Sequence, residues 1–577
     1  MKKARIIFIL LLISYILCGC RSRSQILFDD FLDHCLKEYA GEDALSLHSF
    51  LARPSSWGIR EKDCSPYPDP CRAAGDDYAK AKQEMLTKLK AFDTSKLTAE
   101  QQQIAVLLRT DLEASLETYR KYPWHRTTLG KNGDAVSFAL SLSRYEFRKK
   151  EDVNLYFRIL EQTPAYLDRI YLYEKNRNKA GLLTSPLLLQ DTSEEITSFV
   201  SPEPENNLLV KGFKERLGSI PSITDKEIES YVKDNRNIVK EKIIPAYQHL
   251  NRNLTEKLEC GTDQERICQY PAGSDYYTFL LKTNVGTLHT AEECLASLKG
   301  LYTAAEEEKK DLYEEYPDLD SDYYGVLPSL SKPGDILAAQ RQDTLIYFPA
   351  ISSVSLEIRD LPAELSGSGI RAYYSLPPAD SDTSQSLWLD PTIKDTGELY
   401  GLLSHEGYPG HAYQTNHLYQ HMYHPLQLYL RNKGYDEGWA TDAQIFSYGF
   451  LTFTGKEDEE AEPLRTLYKD QALMELCLYA ISDIYVNVDN HSMQELDTML
   501  REYQVPDGKA ETIYHHVIAH PTDYLTYAMG YCLLQEIAEA QGEGTSPQQL
   551  HSSLLRFGSC PGYILSSFLK VWERSRQ

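Results

Sequence analysis

Basic residues are what this 577-residue chain is short of: 60 Lys and Arg stand against 84 Asp and Glu, a formal net charge of −24. Phosphate binding needs clusters of Lys and Arg, and none stands out, which argues against nucleic acid as a partner. Long apolar runs are missing too. Beyond residue 16 no segment reaches the roughly 18 consecutive apolar residues of a membrane-crossing helix. No internal repeat is evident. The 11 cysteines include no Cys-x-x-Cys pair, so a structural zinc knuckle is not expected. Two short-range pairs can close small disulfide rings outside the cell: Cys64 with Cys71 across a Pro-rich turn, and Cys260 with Cys268 across a polar loop. Acid runs such as Glu306-Glu307-Glu308 and Glu457-Asp458-Glu459-Glu460 mix with lysine and loop signals and read as solvated faces.

The one apolar stretch lies at the start. Met1 to Ile16 opens with Lys2, Lys3 and Arg5 and is too brief for a membrane span, the pattern of a signal peptide. It ends in Leu17-Cys18-Gly19-Cys20, which resembles a bacterial lipobox. Residues 1–19 are therefore expected to be removed and Cys20 lipidated, so that only the N-terminal lipid meets the membrane, at the bacterial cell surface or periplasmic face. Cleavage by the ordinary signal peptidase, or a short uncleaved anchor, is the alternative.

The richest chemistry lies in His405-Glu406-Gly407-Tyr408-Pro409-Gly410-His411. In an ordinary H-E-x-x-H helix, two histidines four apart reach one Zn²⁺ and the Glu between them polarises the attacking water. Here the histidines are six apart, which on a straight helix means a turn of roughly 600° and a rise of about 9 Å, too far to share a metal. Pro409, lacking an N–H, breaks the helix, and Gly410 gives the freedom to bring His411 back. A His-Glu pair at a helix end beside a Pro-Gly turn is the plainer alternative. Asp436-Glu437-Gly438-Trp439-Ala440 precedes a proline-free stretch of helical spacing, Thr441 to Phe450. A carboxylate from there completes three protein ligands and leaves a fourth position for water. As the alternative, Glu437 is an acid favoured by a helix N-terminus.

These strings resemble a known family. H-E-x-x-P-G-H followed by E-G-W-A is similar to the bacterial domain of unknown function 885, a group of often secreted or lipid-anchored proteins placed with gluzincin-type zinc metallopeptidases. Pro271-Ala272-Gly273-Ser274-Asp275-Tyr276-Tyr277 resembles its P-x-G-x-x-x-Y stretch, and Pro521 to Gly530 its P-G-Q-x-x-x-Y-x-x-G signature, so the similarity runs from about residue 80 to the end. The resemblance implies His405, His411 and Glu437 as metal ligands, Glu406 as base, and Tyr527 as a stabiliser of the tetrahedral intermediate. The chain departs from the pattern at Thr522-Asp523, where Gly-Gln is usual, and at Tyr485 and Asn487, where a Gly and a His are common. Both departures bear on the substrate side rather than on the metal set.

Coarse patterning predicts a mainly α (α+β) fold. Helical spacing marks Val153 to Lys175, Ile228 to Lys257, Ala291 to Tyr313, Leu464 to Val488 and Ser492 to Tyr503. Thr344 to Ile358 and Ile370 to Pro391 alternate as strands do, predicting a small sheet before the zinc helix whose exposed edge can hold an extended peptide, or which only packs on the helices. Length suggests two helical lobes around a cleft. The boundaries read as 1–19 signal peptide, 20–75 anchor and linker, 76–335 N-terminal helical lobe and 336–577 zinc-bearing lobe.

Other polar residues have plainer explanations. His417 and His421, four apart, have the spacing to hold a second metal, but no acid accompanies them and an aromatic helical face is the favoured reading. Arg371 can bind a substrate carboxylate, or be a surface arginine. His520 is a second candidate beside Tyr527 for the oxyanion. Together the expectation is a lipid-anchored, extracytoplasmic peptidase with one Zn²⁺ per chain, hydrolysing short peptides with Glu406 as general base. A non-catalytic binding lipoprotein that keeps the fold, and a zinc hydrolase of a non-peptide amide or ester, are the competing readings.

Overall fold

The computed structural model describes residues 21–576 apart from 222, 262–264, 353–354, 362–369, 382–384 and 543. Residues 1–19, expected to be a signal peptide, and Cys20, expected to be lipidated, lie outside the described residues. The chain is mainly helical with one three-stranded sheet. The elements that position the site are α1 (Arg23–Ala40), α2 (Ala291–Glu315), α3 (Pro333–Tyr347), β1 (Leu356–Asp360), β2 (Ala372–Ser375), β3 (Gln385–Leu389), α4 (Thr396–Glu406), α5 (His411–His421), α6 (Lys433–Tyr448), α7 (Asp458–Asn487) and α8 (Asp523–Ala540).

The segment expected to be a linker is folded. α1 opens on a capping box in which Ser22 and Gln25 satisfy each other's backbone N–H groups. It buries Phe28, Leu32, Cys35 and Leu36, the i, i+4, i+7, i+8 stripe of a core-facing helix. The proline- and serine-rich composition that suggested a linker belongs only to the turns behind it. The two expected disulfide rings are not closed: Cys64, Cys71, Cys260 and Cys268 are free thiols. Cys64 and Cys71 turn to different partners, the carbonyls of Arg60 and Arg169, at 3.6 and 3.7 Å. Cys268 donates to Asn490 at 3.4 Å.

Packing also crosses the expected lobe boundary at 335/336. Leu298 and Tyr302 of α2 share a core with Ile481 and Ile484 of α7 and with Leu525 and Met529 of α8. Phe28 and Leu32 of α1 share another with Trp439 of α6, Leu534 of α8 and Leu565. Helices far apart in sequence bury their stripes on one another, so a cut at residue 335 divides cores rather than separating them.

The sheet is smaller than the alternating pattern suggests, because Thr344 to Tyr347 finish α3. Its order is β1-β3-β2. β1 runs parallel to β3 with Ile358 opposite Leu387, and β2 runs antiparallel to β3 with Tyr374 opposite Leu387. Leu387 is fully buried and packs with Leu403 of α4, Ile336 of α3 and Leu467 of α7. This contact lays the sheet against α4 and leaves β2 as the edge strand beside that helix's end.

A candidate metal and hydrolytic centre

α4 is capped by Asp395, whose carboxylate accepts from the backbone N–H groups of Gly397 and Glu398 at 2.8 and 3.0 Å. It stops at Glu406, and α5 starts at His411. Between them the chain doubles back so tightly that the Gly410 N–H bonds the Ser404 carbonyl at 2.9 Å. A Cβ at residue 410 would lie 1.8 Å from the His405 carbonyl oxygen, so only glycine fits this turn. From the neighbouring helix, the Trp439 indole N–H bonds the Pro409 carbonyl at 3.0 Å, and Trp439 is fully buried.

The turn brings the two imidazoles together, with ring centroids 4.9 Å apart and nearly perpendicular planes. Glu437 arrives from the second turn of α6. Its Oε2 lies 3.4 Å from His405 Nε2 and 3.3 Å from His411 Nε2. One donor atom from each of the three residues lies within 4.8 Å of the others, the only such trio of His, Cys, Asp or Glu among the described residues. Burial opposes ionisation of Glu437, yet the two imidazoles hold its carboxyl well below the usual range. Burial also disfavours a charged His411, but Glu437 outweighs it and raises the imidazole to about 9. Two nitrogens and a carboxylate oxygen, convergent and nearly enclosed, fit the donor set of a zinc ion with an open position.

The E-G-W-A and Y-x-x-G strings meet through their glycines. A Cβ at Gly438 would lie 2.4 Å from the Gly530 carbonyl carbon, and one at Gly530 would lie 2.2 Å from the Gly434 carbonyl oxygen. α6 and α8 therefore cross backbone to backbone, and Tyr527, one turn before Gly530, stacks near His405 with centroids 5.9 Å apart. The Glu437 charge, then burial, raise the Tyr527 phenol well above its ordinary range, so it remains a hydroxyl donor. Its hydroxyl has no partner among the described residues.

Glu406 lies near enough to His411 and Tyr527 for its charge to act on both, and it also reaches the sheet. Asp390 N–H bonds the Arg371 carbonyl, which sets the alternation of β2: residues 371, 373 and 375 face β3, and the N–H of Tyr374 faces outward. That outward N–H donates to Glu406 Oε2 at 2.8 Å. Sequence reasoning missed Tyr374 as a partner of Glu406 in the candidate site; strand alternation was visible, but which edge met the motif was not.

Several sequence candidates lie elsewhere. His520 is not brought to the trio; its ring nitrogen meets the Lys131 carbonyl at 3.2 Å. Arg371 is spent on Glu398 and Asp390. His417 and His421 stack on each other at 4.2 Å, and burial pushes His417 down to about 4. At the departures from the family pattern, Thr522 occupies the left-handed region at φ 70°, where glycine is the easy choice. Its N–H is held by Asp483 at 2.7 Å. Asp523 pairs with Lys433 and, at 3.0 Å, with His516. Asn487 is buried and donates to Asp483 and to the Val517 carbonyl at 3.2 and 2.8 Å. Tyr485 stacks on His491 at 3.7 Å.

The sequence profile of the family described as bacterial protein of unknown function (DUF885) matches residues 53–568. The crystal structure of "the putative lipoprotein from Colwellia psychrerythraea" superposes with a TM-score of 0.81 at 16% identity, covering 95% of this chain and 99% of that one. A "putative lipoprotein of unknown function from Shewanella oneidensis" gives a TM-score of 0.63 at 16% identity, covering 94% and 99%. At such identity the likeness is one of fold alone. No curated protein matches the chain.

Proposed function

The chain belongs to the DUF885 family of bacterial proteins, and on that premise we propose that it is a lipid-anchored, extracytoplasmic zinc peptidase acting on short peptides. One observation carries the reading: beside the convergent His405, His411 and Glu437, Glu406 stays outside the trio and is held at a free strand edge by the Tyr374 N–H. A purely structural metal site has no use for a carboxylate placed this way.

Zinc, when bound by His405, His411 and Glu437, supplies Lewis acidity that polarises a scissile carbonyl and acidifies an attacking water. Glu406 accepts the proton of that water and delivers it to the leaving amine. Its hydrogen bond to Tyr374 fixes which oxygen remains free for the proton. Tyr527, kept protonated by the Glu437 charge and by burial, donates its hydroxyl to the developing oxyanion. The outward-facing groups of β2 that Glu406 leaves open, the Ala372 N–H and the Ala372 and Tyr374 carbonyls, offer an extended peptide main-chain hydrogen bonds. Atoms balance as in any amide hydrolysis: a C–O bond forms, the C–N bond breaks, and an acid and an amine leave.

Metal analysis combined with digestion tests this. The purified protein should hold about one zinc per chain, lose most of it in His405→Ala, His411→Ala and Glu437→Ala, and cleave short peptides while sparing a folded protein. Full zinc in the His411 variant, or a zinc-loaded protein that cleaves no peptide, contradicts the proposal.

A further inference from the structure

A cavity of about 580 Å³ opens at Arg431, whose guanidinium is close enough to Glu437 to feel its charge. Its wall includes Phe138, Tyr419, Leu376 and Pro377, and its charged groups are Arg126, Asp134 and Arg431. Arg126 is committed: it makes two parallel bonds to the Asp134 carboxylate at 2.7 and 2.8 Å. Arg431 is not. Its Nε is tied to Asp436 Oδ2 at 2.9 Å, which fixes the guanidinium plane, while its two terminal nitrogens donate to no acceptor among the described residues. The side chain is only 16% exposed. An almost enclosed guanidinium with one edge tethered and the other open is the fork that takes a carboxylate by two parallel bonds.

The cavity adjoins the strand that holds Glu406. Leu376 and Pro377 continue the chain of β2 directly beyond Ser375, and Tyr374, which holds Glu406, is two residues before Leu376. At about 3.3 Å per residue, a substrate lying along this edge passes from Glu406 to the Leu376 wall in roughly 7 Å, the length of one or two residues. Arg431 is also six residues before Glu437, on the turn that leads into α6. Arg371, the arginine nearest to the strand in sequence, cannot serve because Glu398 and Asp390 occupy it.

We infer that Arg431 and this cavity bind the free C-terminal carboxylate of the peptide, so that the enzyme removes one or two residues from the C-terminus. The inference rests on the peptidase reading for its cleavage step, but the carboxylate site stands on its own geometry. Phe50, Phe138, Leu376 and Leu428 in the lining suit an apolar terminal side chain.

The test is a binding comparison on the full chain, by calorimetry, with Ala-Ala-Phe, Ala-Ala-Phe amide and Ala-Ala-Glu amide, with zinc present and again after chelation. The free acid should bind about 10- to 100-fold more tightly than either amide, the range for charge-assisted hydrogen bonds. The preference should persist without zinc and vanish in Arg431→Gln, while Arg431→Lys keeps part of it. Equal binding of acid and amide overturns the inference. So does a preference that survives Arg431→Gln, that disappears on chelation, or that Ala-Ala-Glu amide shares. Because acid and amide are compared on one protein, a variant that folds poorly does not decide the matter. An Arg431-dependent preference without cleavage of any peptide removes the peptidase reading and leaves this site in place. Equal cleavage of acid and amide, with no binding preference, does the reverse.

Discussion

Replacing Gly438 by Ala probes the contact on which the site's assembly depends. The added methyl group would lie 2.4 Å from the Gly530 carbonyl carbon, 2.7 Å from its Cα and 2.7 Å from its oxygen. These are backbone atoms of a buried helix, so no side chain can swing aside, and α6 and α8 must separate by about 1 Å to restore ordinary contact. Forcing an extra methyl group into a packed core costs about 1–3 kcal/mol. The larger effect is on chemistry. Glu437 precedes the substituted residue and Tyr527 lies one turn from its partner, so the separation moves a ligand away from the Tyr527 hydroxyl. A misplacement of that size costs about 100-fold in rate. Denaturant titration, zinc content and peptide turnover of Gly438→Ala should therefore show a modest loss of stability with a disproportionate loss of activity. Unchanged stability and turnover would refute the backbone crossing as the device that assembles the site.

Two further outcomes follow from other parts of the molecule. Burial raises the Asp483 carboxyl to about 7, against the pull of donors from Tyr277, Asn487 and Thr522; an unfolded Asp titrates near 3.9. The folded state thus holds this proton where the unfolded chain has lost it. The contribution to stability is full below about pH 4 and is lost as pH rises through about 7. Between about pH 5 and 8 the melting temperature of the wild type should fall relative to that of Asp483→Asn, and a constant difference refutes the assignment. For the anchor, Cys20→Ala should release the protein from the membrane fraction or block its processing, whereas an unmodified mature chain starting beyond Cys20 contradicts lipidation.

Much of the local structure was legible because it is written locally. A proline and a glycine between two histidines dictate a break, and α4 indeed stops at Glu406 and resumes at His411. The helical character and the small sheet follow from periodicity. What escaped was whatever needs a partner distant in the chain. The stripe Phe28, Leu32, Cys35 and Leu36 is helical in spacing, but only its burial with Trp439 and Leu534 distinguishes a core helix from a linker. The glycine of E-G-W-A carries no visible reason until Gly530 lies against it. Arg371 and Arg431 look alike in sequence, and the acids that occupy one and merely tether the other come from folding. His520 and Tyr527 lie close in sequence, yet the helix that carries Tyr527 turns it to the histidines while His520 faces the Lys131 carbonyl.

The most direct measurement is zinc content and peptide turnover of Glu406→Gln beside the wild type. Because Glu406 stands outside the ligand trio and next to it in the chain, the variant should keep its zinc and lose at least about 100-fold in turnover, the low end for loss of a general base. Undiminished turnover with zinc in place would contradict the hydrolytic mechanism at its centre.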